Sequence, residues 1–210
     1  MDKDSESKPE EIANIITHGI GVILSLAGLF FLIYTSWQQQ GIVVFSAFIF
    51  GVSLLILYLS STLYHLLYRS KHRDKLRIMD HVAIYFLIAG SYTPFTLLVL
   101  PETWGWTLFI IVWLLALAGV VFKIFFTGRF RLVSTFLYLG MGWLSVMAIK
   151  PMLANLPTPG LWWLLAGGLS YTFGVVFYLW HKLPFHHAVW HMFVLGGSVS
   201  HFVAIYFFVL

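Results

Sequence analysis

The chain has 210 residues, of which 60% are hydrophobic and only 10% charged, with a formal net charge of +4. That balance excludes a water-soluble globular domain, a disordered chain and a coiled coil, each of which needs more polar sequence. Cysteine is absent, which removes disulfides, thiolate metal sites and cysteine nucleophiles, so any metal has to be held by histidine and carboxylate.

Residues 1–11, MDKDSESKPEE, are charged and lack the basic flank and cleavage site of a signal peptide. They are expected to form a short cytoplasmic tail ahead of a membrane domain over 12–210. Seven apolar blocks follow, at about 12–37, 41–68, 78–100, 104–126, 130–149, 160–181 and 187–210. Each approaches the roughly 20 residues that a helix needs to cross a bilayer core, whereas barrel strands would be about half as long. The reading is an all-α integral membrane protein, a seven-transmembrane helix bundle. The breaks are polar or carry Pro and Gly: Gln38 to Gly41, Leu100-Pro101-Glu102, Thr127-Gly128-Arg129, Lys150-Pro151 through Pro159-Gly160, and Lys182-Leu183-Pro184. With the N-terminus inside, eleven of the 12 Lys and Arg fall on the inner side and only Lys150 outside. This bias sets an N-in, C-out, multi-pass topology in the cell (plasma or inner) membrane. Cations scattered in this way serve topology and do not suggest a nucleic-acid partner.

Polar residues inside the blocks are costly to insert and so are candidates for function. In the first block Asn14, His18, Gly21, Ser25 and Gly28 make a stripe of small and polar residues, the pattern of helix packing, with His18 also a candidate to touch a cavity. In the second, Ser61 and His65 share a face one turn apart. The third opens on Asp80 and His81, and His81 is expected to contact lipid head groups. Gly140 and Gly142 in the fifth offer close helix approach. The seventh carries His187 and His191, four residues apart on one face, and a deeper His201 expected to make an interhelical hydrogen bond. His72, His181 and His186 fall at turns, and Trp37, Trp104, Trp106, Trp162 and Trp163 near the ends of the blocks suit interfacial belts.

The predicted topology brings His65, Asp80, His187 and His191 to one depth, at the cytoplasmic end. An HxxxH pair alone also suits a wet cavity or a head-group contact. Three neutral imidazoles and a water, however, make an open tetrahedral zinc site at about 2.0–2.1 Å, and a neighbouring carboxylate orients the water or a ligand. No Glu follows His187, so the base of an HExxH protease helix is missing and water activation falls to Asp80.

The stretches Ser61-Thr62-Leu63-Tyr64-His65, Asp80 and His187-Ala188-Val189-Trp190-His191 resemble the hemolysin III branch of the progestin and adipoQ receptor family. So do Glu11 to Asn14, Thr17 to Gly21 and Gly90-Ser91-Tyr92-Thr93-Pro94. The resemblance spans the chain. It implies Zn2+ near the cytoplasmic face, with His65, His187 and His191 as ligands, Asp80 in contact with the metal-bound water and Ser61 hydrogen-bonded nearby. It also implies kinship with receptors of proposed lipid-amide hydrolase activity and, more distantly, with alkaline ceramidases. The leading expectation is therefore a zinc-dependent intramembrane hydrolase of a lipid amide or ester, with a membrane lipid as substrate or ligand, Asp80 moving the proton and Ser61 stabilising the oxyanion. A receptor or regulator with a structural zinc is the alternative. A pore-forming hemolysin is a third reading, disfavoured because the chain offers water almost no polar face.

Overall fold

A computed structural model describes residues 7–210. Seven helical rods long and apolar enough to span a membrane run through it, and among the described residues there is no strand. They are α1 (Lys8–Ser36), α2 (Gly41–Leu66), α3 (Arg73–Pro94), α4 (Glu102–Phe126), a fifth rod made of α5 (Arg131–Gly142) and α6 (Ile149–Asn155), α7 (Thr158–Leu179) and α8 (His186–Phe208). The apolar side chains face outward as well as inward. Ile23, Phe30, Leu114, Phe125 and Phe136 are exposed on the outside, as a lipid-facing surface requires. The five tryptophans assigned to interfacial belts are likewise exposed near rod ends.

Several boundaries differ from the sequence reading, among them the start of α3, which lies at Arg73 and not at about 78. Helix α1 begins at Lys8, so the latter part of the expected tail is helical; residues 1–6 lie outside the described region. Ser7 starts the helix, with its backbone N–H and its hydroxyl both donating to Glu10 Oε2 at 2.9 and 2.7 Å. The fifth rod runs on to Asn155 instead of stopping at Lys150-Pro151. Pro151 sits in the first turn of α6, where its missing N–H has no intrahelical partner to lose. The real interruption of that rod is a 3-10 stretch at Trp143–Ala148, inside an apolar run that carries no breaker after Gly142. Tyr92 on α3 secures it: the phenol donates to the carbonyls of Met141 and Gly142 (2.9 and 2.7 Å) and accepts from Ser145 N–H at 2.8 Å. Backbone groups loosened at membrane depth are thereby satisfied by protein.

Helix α3 is also irregular at its far end. Pro94 is followed by a π-helical turn at Phe95–Val99, closed by Leu100 N–H donating to the Phe95 carbonyl. The buried stripe of α1 includes Asn14, His18, Gly21, Ser25 and Gly28, as its spacing predicts. Gly21 is required by packing, since a Cβ there would lie 2.2 Å from the Tyr58 ring. Gly140 and Gly142 have no such role, because nothing approaches within 4 Å of a Cβ at either.

Candidate metal centre

Helix ends decide what meets at the N-terminal end of the bundle. His65 is in the last turn of α2, Asp80 lies in the early turns of α3, and His187 and His191 occupy the first turns of α8. One ring nitrogen from each of His65, His187 and His191 lies within 4.8 Å of the other two, and among the described residues this trio is the cluster able to hold a metal ion. His65 is 2% exposed and His191 0%. The His65 ring centroid stands 5.0 Å from that of His187 and 5.2 Å from that of His191.

The hydrogen bonds around the trio fix which nitrogen is offered. His65 Nδ1–H donates to the carboxylate of Glu11 at 2.7 Å. Thr17 Oγ1 gives its own proton to the carbonyl of Ala13 or Asn14 (2.9 and 3.0 Å), so at 3.1 Å it accepts from His191 Nδ1–H. In both rings the proton is therefore on Nδ1 and the lone pair on Nε2. Both Nε2 atoms are buried without a hydrogen-bond partner. Buried acceptors of this kind need a partner, and an imidazole whose other nitrogen is bonded to a carboxylate or hydroxyl is arranged as a metal ligand. The donor set thus fits a divalent ion that accepts imidazole, zinc foremost.

The sequence reading placed Glu11 in the tail and did not single out Thr17. Glu11 is in fact 2% exposed, held between His65 and Arg73, whose Nη2 is 3.6 Å from its Oε1. With Asn14 and His18 it lines the α1 face turned to the site, an i, i+3, i+7 series that periodicity could have revealed had the charged run not masked it. Glu10 acts at longer range. It accepts the N–H of Phe185 at 3.1 Å, securing a left-handed residue (φ 56°) just before α8 and hence before His187.

Asp80 lies near His65 and Ser61 at this end of the bundle. Asp80 is 7% exposed, with His65, Ser61 and Lys123 as its polar and charged neighbours. His18, left open by the sequence, is at the centre: its ring stacks on His191 (centroids 3.4 Å apart, planes 15°) and meets Tyr58 edge-on. His81 departs from its expected head-group role, with Nδ1–H donating to its own helix at the Arg77 carbonyl (2.7 Å). His201 packs edge-on to Tyr171 of α7 at 5.4 Å, but the interhelical hydrogen bond expected of it is not formed, and both of its ring nitrogens are buried without a partner of normal geometry.

A cavity of about 450 Å³ extends from this end between α3, the broken fifth rod, α7 and α8. His18 and Asp80 line it near the trio, Tyr92, Trp143 and His201 farther along, and Trp162 near its other end. Its walls are mainly aliphatic and aromatic, and its volume is that of a small-molecule site.

Comparison with known proteins follows the whole chain. The Haemolysin-III related family profile matches residues 6–202. The chain is 56% identical to the Hemolysin-3 homolog of Bacillus subtilis (strain 168), over 95% of this chain and 94% of that protein. It is 50% identical to Hemolysin-3 of Bacillus cereus, over 100% and 96%. It is 32% identical to the Monocyte to macrophage differentiation factor of Homo sapiens, over 94% and 83%.

Proposed function

The chain belongs to the haemolysin-III-related family of multi-pass membrane proteins, and on that premise we propose that it is a zinc-dependent hydrolase of a lipid amide or ester in the cell membrane. The observation that carries this reading is the pair of buried Nε2 lone pairs on His65 and His191, each set by a bond to Nδ1, converging with His187 beside a carboxylate. Bound there, zinc would supply Lewis-acid polarisation of a carbonyl and acidification of water. The chain's own residues supply the rest. Asp80 lines the cavity and faces His65, the place for a group that takes a proton from the attacking water and returns it to the leaving group. Ser61, against Asp80, offers a hydroxyl to the developing oxyanion. Phe95, Leu108 and Val194 belong to the apolar walls that take the lipid tail and keep bulk water from the site. The bias of Lys and Arg supports a cytoplasmic position for this end of the bundle.

A second reading, a receptor or regulator with structural zinc, draws on the same bonds. An ion held by α2 and α8, whose ligands lean on α1, would tie three spans together. Elemental analysis of detergent-purified protein, with a panel of lipid amides and esters, separates the two. Hydrolysis predicts stoichiometric zinc lost in His187→Ala, and turnover lost in Asp80→Ala with zinc retained. Turnover that survives Asp80→Ala overturns the enzymatic reading, and wild-type protein without zinc overturns both.

A further inference from the structure

Among the described residues, Lys123 is the one lysine or arginine buried in the bundle, at 3% exposed. It stands in the last turn of α4, where a lysine ordinarily extends its ammonium to water, and it does not do so. Among the described residues no carboxylate lies within 4.0 Å of Nζ and no hydrogen bond is made to it. Its contact is the ring of Tyr138, with Nζ 5.8 Å from the centroid. Of the charges that act on it, Arg77 and Arg131 repel it and Asp80 alone attracts it. His81 is packed among the same three cations and brings no negative charge to them. A buried ammonium without a paired counter-charge is costly, so this one calls for an anion.

Three successive rods deliver the cations. Arg77 comes from α3 and rests its guanidinium on Gly128 in the turn after α4, leaving no room there for a Cβ. Arg131 opens α5 and lies over the Tyr178 ring of α7, its guanidinium carbon 4.5 Å from the centroid. Both arginines are half-buried and have contacts of their own besides, so the open need is that of Lys123. The two rings that carry Lys123 and Arg131, those of Tyr138 and Tyr178, line the cavity together with Asp80. We infer that Lys123, with Arg77 and Arg131, forms a binding site for a phosphate monoester, either the head of an acidic lipid or phosphate itself. Such a group presents three terminal oxygens to cations arriving from three rods, whereas a carboxylate presents two. Guanidinium forks match pairs of phosphate oxygens, and a lysine meets the third as a point charge. A chain attached to the phosphate has the apolar cavity beside it. The inference depends neither on zinc nor on turnover.

The test titrates the purified full chain, in an uncharged maltoside detergent, with dioctanoyl phosphatidic acid, dioctanoylglycerol, octanoate and inorganic phosphate, read by calorimetry. Wild-type protein should bind phosphatidic acid about ten-fold or more tightly than dioctanoylglycerol or octanoate, the scale of one charge-assisted hydrogen bond. Lys123→Met keeps the buried stem without the ammonium and should level these affinities, and Lys123→Arg should restore the preference. Without ligand, Lys123→Met should melt above wild type, because an uncompensated buried charge has been removed. Inorganic phosphate that competes at matching concentration assigns the site to free phosphate. Competition only at far higher concentration assigns it to a lipid, and either result upholds the site. Octanoate or dioctanoylglycerol binding as tightly as phosphatidic acid, or a preference that survives Lys123→Met, overturns the inference. So does a ligand-free Lys123→Met protein that melts below wild type, since it marks the lysine as a structural strut.

Discussion

Glu11 shows how a single side chain prepares a ligand it never replaces. Its carboxylate accepts His65 Nδ1–H at 2.7 Å and leaves Nε2 for an ion, and Arg73 holds its other oxygen. Partners of this rank typically contribute about 10- to 100-fold to metal affinity. Glu11→Ala should therefore weaken zinc binding by about that factor, read by competition with a chromophoric chelator, while helicity stays unchanged. Thr17→Val should act in the same direction through His191, and more weakly, because a neutral hydroxyl replaces a carboxylate as acceptor. Acidification should release the ion in every variant, since imidazole binds metal only in its neutral form. The helical spacing of Glu11, Asn14 and His18 carried a trace of this support, but the charged run masked it. A run of charged residues ahead of an apolar block reads as a solvated tail, and only the tertiary pairing with His65 and Arg73 turns Glu11 inward.

At the scale of helices, two contacts set how closely the rods stand. Gly21 on α1 lets Tyr58 of α2 lie flat against the backbone, and that phenol donates to Ser198 of α8 at 2.7 Å. Gly21→Ala would drive the ring outward and break the bond, costing about 1–3 kcal/mol as overpacking does, measurable as a lower unfolding midpoint in detergent. Tyr92 is the second contact. Tyr92→Phe removes the group that satisfies Met141, Gly142 and Ser145 at the 3-10 break, leaving the buried Met141 carbonyl open at about 1–3 kcal/mol. Faster hydrogen exchange confined to residues 141–148 is the expected signature. The rods themselves were legible because an apolar block of that length can satisfy its backbone in lipid only as a helix. The interruption of the fifth rod was not. Its residues are as apolar as their neighbours, and the break depends on a tyrosine 53 residues away in sequence.

For the whole molecule, the trio and its supports draw α1, α2 and α8 together at one end, while the cavity separates α3 and the fifth rod from the closely packed α7 and α8 along its length. The end with the trio should therefore be the stiffer one when metal is bound. Chelation of zinc should lower the melting temperature, by the free energy of an ion that binds the folded chain alone, and the drop should vanish in His187→Ala. His65, His187 and His191 were legible as a set because helical period and a common depth need no tertiary knowledge, only the count of spans between them. The position of His18 was not, since a stripe of small and polar residues reads first as packing, and here it is packing and cavity wall at once.

The Glu11–His65 pair also bears on biogenesis. Ribosomes deliver α1 and α2 to the translocon long before His187 is made, and Arg73 arrives with the next helix. A nascent chain of three helices can thus already shelter its buried carboxylate, and insertion need not wait for an ion. Two of the three ligands come with the final helix, so metal loading is an event of the completed polypeptide, and a chain truncated before residue 186 should insert yet stay permanently metal-free.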